Sequence, residues 1–178
     1  MNAYPGRHTE NPKRICGDAK GGASSKARAL EPLETADRAG ERGALPFAEQ
    51  FALWAMRLWV AGQRGQSVEH ALEGAFRRLH QPQARRRLEL FMLSLAHGAI
   101  RPIRLWPPCA GPVSDDEARL LDLLRYSQAG EKFTPALLCR SFLRPRASAV
   151  AGVLGADFAD CLARAGLRLP VTGEPQDV

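Results

Sequence analysis

The chain has 178 residues, with 25 Lys/Arg against 19 Asp/Glu, a net charge of +6 and 45% hydrophobic residues. That length suffices for one domain whose core needs no disulfide or metal staple, and no run reaches the ~20 apolar residues of a membrane-spanning helix. Leucine, alanine and arginine prevail over β-branched residues, which argues against a β-rich fold.

Residues 1–44 read as a disordered tail, rich in Gly, Ser, Lys, Arg and Glu and poor in large apolar side chains. They contain no apolar h-region of a signal peptide, and no two of Cys16, Cys109, Cys139 and Cys161 are close enough for a C-x-x-C pair. The expectation is therefore a cytoplasmic protein with free thiols, of a bacterial type given its Ala-, Arg-, Gly- and Pro-rich composition.

The domain spans 45–169 and starts with its most apolar stretch, Phe47 to Val60. Phe47, Phe51, Trp54 and Leu58 share one line of a helix, with small residues beside them. Gln50, Leu53 and Arg57 form the stripe expected to face solvent, and Trp59 the side expected to meet a partner. Gly62 to Gly65 ends this helix, and Ser67 is the expected N-cap of the next, over 68–80. A third helix runs over about 83–97, with Leu88, Phe91, Met92 and Leu95 as its apolar line and Gly98 as a candidate C-cap.

Between 64 and 104 eight arginines meet three glutamates. Arg77, Arg78, Arg85, Arg86 and Arg87 are the candidate anion or nucleic-acid contacts, and Arg85–Arg87 oppose the dipole of the helix they open. Residues 99–113 hold Pro102, Pro107, Pro108 and Pro112, so an extended connector is expected there, with Trp106 packed on it as a second candidate partner contact. Cys109, in this connector, is the thiol expected to be exposed.

Ser114-Asp115-Asp116-Glu117 matches a capping box, and capping is taken to explain all three carboxylates. The helix it opens runs to about Ala129 and ends at Gly130. Thr134-Pro135 opens a fifth helix, with Leu137, Leu138, Cys139 and Phe142 expected to bury and Pro145 to close it. The last helix spans about 147–165, with Val150, Val153, Leu154, Phe158, Cys161 and Leu162 inward, before a polar tail over 170–178.

The expected architecture is all-α: a single compact bundle of about six helices, a proline-rich connector and a disordered N-terminal tail. No catalytic, cofactor-binding or metal-ligating residues emerge. His70 and His80 flank one helix, where Glu73 follows His70 by three but in the reverse of a Glu-x-x-His order and without a second copy; His97 stands at no catalytic spacing from Cys109, and His8 lies in the tail. The leading reading is a non-enzymatic interaction or regulatory domain with a protein partner or self-association. Nucleic-acid binding is the alternative, through the arginine-rich surface over 77–104 or a helix-turn-helix-like unit over 115–165. An enzyme of unknown chemistry is the minor one.

Overall fold

The computed structural model describes residues 30–31 and 42–170. Six helices make up the fold among them: α1 (Phe47–Gln63), α2 (Glu69–Arg78), α3 (Ala84–Gly98), α4 (Asp115–Gln128), α5 (Thr134–Leu138) and α6 (Pro145–Arg164). Two short strands, β1 (Leu30–Glu31) and β2 (Ile103–Arg104), pair in parallel, with Leu30 opposite Ile103. The all-α bundle read from the sequence is the fold found.

The N-terminal tail lies mostly outside the described residues. Its last part, Arg42–Ala44, does not: it forms a turn of 3-10 helix held against the connector. There the Arg42 N–H donates to Gly111 O at 2.7 Å, and Arg42 Nη1 to Pro108 O at 2.9 Å.

Helix ends follow local chemistry. After α1, α4 and α6, glycines 65, 130 and 166 take positive φ, and the next residue's N–H donates back to the carbonyl of Ala61, Tyr126 or Leu162. His80 plays the same role after α2, at φ 54°, with Gln81 N donating to Phe76 O. The capping box at Ser114 is present in full: Ser114 Oγ accepts from Glu117 N at 3.1 Å, and a Glu117 carboxylate oxygen accepts from Ser114 N at 2.9 Å. Three expected boundaries shift. α2 starts at Glu69 with no side-chain cap, so Ser67 is not its cap. Pro145 opens α6 at its first turn instead of closing α5, which is consistent with its fixed φ and missing donor. Gly98 is the last helical residue of α3 and not a left-handed cap, because the chain leaves it extended. It serves close packing: a Cβ there would overlap that of Ala147.

The core lies where α3 meets α6, the most extensive helix pair, with α4 against α6 and α1 above α3 and α4. Phe76, Phe91 and Phe158 form its aromatic centre, with Phe76 and Phe158 edge to face at 6.3 Å. α6 enters this core on Ala151, Gly155, Phe158, Ala159 and Leu162. A Cβ on Gly155 would run into Leu123 and the Phe91 ring, so the glycine is what lets α6 sit this deep.

Helix α1 is rotated from expectation. Phe47, on its predicted core line, is 70% exposed, while Leu53 and Arg57, on its predicted solvent stripe, are 0% and 1% exposed. The connector over 99–113 explains this. It is extended as expected, bridging Ala99 to Leu143, and it crosses the Arg57 side of α1 with Ile103, Leu105 and Val113 buried.

Candidate interaction surface

Buried charge was the chemistry that sequence patterning missed. The side chains of Arg57 and Glu117 are both fully buried. Arg57 Nε and Nη2 donate to the two Glu117 carboxylate oxygens at 2.7 and 2.9 Å. Nη1 donates to Ala110 O at 2.7 Å and Nη2 to Pro112 O at 2.6 Å. Glu117 also accepts from the backbone N–H groups of Trp106 and Ser114, both at 2.9 Å. One ion pair thus fastens α1, the connector and the start of α4 together. Capping alone does not explain the carboxylates after Ser114, as expected from sequence, because two of them are buried partners of arginines.

The second of these is Asp116, whose side chain is 4% exposed. Arg101 Nη1 and Nη2 donate to its two oxygens at 2.9 and 2.7 Å, and Arg104 N donates at 2.9 Å. Burial alone raises the Asp116 pKa. The Arg101 hydrogen bonds, the Arg104 N–H and the charges of Arg101 and Arg119 outweigh it and hold the carboxyl below its usual value. A third pair, Arg125 to Glu49 at 2.7 and 2.9 Å, ties α4 to α1, with Asp122 also against Arg125.

None of these carboxylates is placed for acid–base work. Each oxygen of Glu117 already accepts two hydrogen bonds, and the residue is sealed from any substrate. His70, His80 and His97 are all exposed, and no group of three His, Cys, Asp or Glu side chains among the described residues converges on a metal position. Burial pushes the Cys139 thiol up to about 12, which makes it inert. Cys109 is disulfide-bonded. That overturns the free exposed thiol expected there, and with it the thiol argument for a reducing compartment. No described helix is long and apolar enough to cross a membrane.

The candidate arginines spread rather than converge. Arg77 pairs with Glu73 at 2.9 Å, Arg86 approaches Glu89 at 3.8 Å, and Arg87 reaches Asp157 on α6 at 2.9 Å. Arg85 lies beside a cleft of about 250 Å³ between α1, α2 and α3, whose floor includes Leu72 and Leu88. Arg78 and Arg85 engage no carboxylate among the described residues. Of the two tryptophans singled out, Trp59 is 7% exposed and sits in the core, and Trp106 is half-buried with its indole N–H lacking an acceptor among the described residues.

Large apolar side chains do face solvent, singly at Phe47 and Ile100 and in greater number on α5 and α6. Phe133 is 79% exposed, Leu137 54%, Val150 52% and Val153 65%. Leu137, Val150 and Val153 were expected inside. α6 buries its small face instead: Ala136 of α5 fits against Gly152, within 3.5 Å of where a Cβ would stand. With the glycine side turned inward, the valines point out. Phe133 and Leu137 are four apart, Val150 and Val153 three apart, so each pair shares a face. The Ala136–Gly152 contact holds the two helices that carry these pairs against one another. The sequence signal for this was the spacing of Ser148, Gly152, Gly155 and Ala159, a small-residue stripe that marks close helix packing.

Comparison with protein-family models, with curated proteins and with solved structures gave no match.

Proposed function

We propose that this chain is a non-enzymatic helical domain that acts through protein–protein contact. The carrying observation is the exposed apolar surface of Phe133, Leu137, Val150 and Val153. Contiguous apolar patches of several hundred Å² on soluble proteins mark interaction sites. The chemistry elsewhere points the same way: the buried charges are saturated by one another, and the exposed histidines have no orienting partner.

Nucleic-acid binding is the weaker reading. Helices α4, α5 and α6 do pack as a three-helix unit. But the exposed face of α6, where a recognition helix reads bases, carries Val150, Val153, Asp157 and Asp160 beside Arg146 and Arg164. The two carboxylates offset the two arginines, so this face offers a phosphate backbone no net positive charge. On the other surface, Arg77, Arg86 and Arg87 already have carboxylate partners.

The test is a photo-crosslinking amino acid at Val153, with the same residue at exposed Arg77 as control, in intact cells that make the protein. Protein adducts from position 153 and none from 77 are expected, unchanged by nuclease. Absence of adducts at 153, or adducts lost on nuclease treatment, overturns the reading.

A further inference from the structure

The exposed face of α6 has a charge order that fits itself. Along its solvent stripe lie Arg146, Ala149, Val150, Val153, Asp157, Asp160 and Arg164, so that over the stretch 146–157 the stripe runs from positive to negative, with Arg164 closing the helix one turn past Asp160. Two such helices laid antiparallel about a two-fold axis between residues 151 and 152 bring Val150 of one copy opposite Val153 of the other. The same rotation brings Arg146 of each copy opposite Asp157 of the other, at both ends of the contact. A two-fold interface requires this reciprocity, because one patch must complement itself.

We propose that this face is the contact between two copies of the chain, packed through antiparallel α6 helices. The inference rests on the interaction reading above and names its partner.

The stereochemistry supports close approach. Ala149 is exposed and Ala156 partly so, and small side chains at these positions let two helix backbones come near one another. From Arg146 to Asp157 the stripe runs about 16 Å at the α-helical rise. That length is shorter than α6 itself, which has 20 residues. Arg146 engages no carboxylate among the described residues. Asp157 accepts from Arg87 through one oxygen, Oδ2, so its second oxygen is available to an arginine of the other copy. The four exposed apolar side chains together offer on the order of 400 Å², at the scale of the largest patches that soluble proteins show. A stable interface takes roughly 800 Å² per copy, so a contact centred on this patch is a small and reversible one. A parallel arrangement is disfavoured, since it sets Arg146 against Arg146 and Asp157 against Asp157.

The experiment is sedimentation velocity on the purified full-length chain over a concentration series, with light scattering as a second mass measurement. The wild-type chain is expected to dissociate reversibly from dimer to monomer on dilution. Val153→Glu is expected to raise the dissociation constant at least about tenfold, the effect of burying an unpaired carboxylate at an interface centre. Arg146→Asp and Asp157→Arg are each expected to weaken the dimer. The double variant Arg146→Asp/Asp157→Arg, compared with its parents in an Arg87→Ala background that removes the intrachain partner of position 157, restores it, because reversal keeps the reciprocity. Circular dichroism checks that each variant is folded; Val153 and Arg146 are already exposed, so their replacement leaves the core intact.

A wild-type chain that is monomeric at every concentration overturns the proposal. So does a dimer indifferent to Val153→Glu, or a double variant no tighter than its parents. The outcomes also separate the two readings. A monomer whose position 153 still crosslinks to proteins of other mass removes the second copy and leaves the interaction domain. A monomer without such adducts removes both.

Discussion

Replacing Arg57 by methionine isolates the bond that sets the orientation of α1. Methionine matches the length of the arginine stem and has good helix propensity, so the change acts on the charge. Without it, Glu117 keeps two backbone N–H donors but loses the guanidinium, inside a site that is 0% exposed. The carbonyls of Ala110 and Pro112 lose their donors as well. Removing one partner of a buried pair costs about 3–5 kcal/mol, because the other charge stays behind. At about 2–4 °C per kcal/mol for a chain of this size, the midpoint falls by roughly 6–20 °C. Thermal unfolding followed by far-UV circular dichroism measures it. Arg57→Met/Glu117→Gln removes the stranded charge yet leaves an oxygen for the backbone donors, so it recovers about 1–2 kcal/mol of the loss. A single variant within about 1 kcal/mol of wild type, or a double variant that loses the sum of both single effects, refutes the clamp.

Asp116→Asn tests the second pair through pH. The folded Asp116 pKa lies below its unfolded value, so its contribution is present above the unfolded pKa, near 4, and disappears as pH falls through the folded one. Urea titrations from pH 7 down to about 2 are expected to show a shallower loss of stability for Asp116→Asn than for wild type. Gly98→Ala places a methyl on the Cβ of Ala147, a backbone-anchored atom that cannot turn away; about 1–3 kcal/mol of destabilisation is expected in the same assay. His80→Gly should raise stability by about 0.5–1 kcal/mol, because His80 closes α2 at φ 54° where glycine is unstrained. Iodoacetamide at pH 8 should leave Cys139 unlabelled in the folded protein and label it on unfolding, as its burial and raised pKa require.

Fold class and most helix positions were legible because they are local. The proline density over 99–113 rules out helix whatever surrounds it, and the capping box at Ser114 acts within four residues. Which face of a helix turns inward was not legible in two places, for one reason. Patterning assigns valine and leucine to the core and arginine to water. At Arg57 the rule fails because Glu117, 60 residues away, supplies the counter-charge. At Val150 and Val153 it fails because Gly152 and Gly155 let Ala136, Leu123 and Phe91 approach the other side. Both decisions depend on a partner distant in the chain, and periodicity within one helix holds no record of it.

The same pairing logic explains why the apolar surface is left over. Three arginine–carboxylate pairs, Arg57–Glu117, Arg101–Asp116 and Arg125–Glu49, fasten α1 and the connector to α4. No such pair fixes α5 to α6. That contact rests on close approach, Ala136 against Gly152, and close approach between small residues buries little apolar area. A helix held by its glycine side keeps its larger side chains free on the opposite side. Substituting Gly152 should therefore disturb α5 and the surface beside it while the ion-paired half of the domain stays folded. Gly152→Val, read by hydrogen exchange resolved along the chain, is expected to lose protection over 131–141 and to keep it over 47–63 and 115–128. Loss of protection spread evenly over all six helices would mean that the α5–α6 contact and the clamp are one cooperative unit, and the division drawn here between a charge-fastened half and a closely packed half would fall.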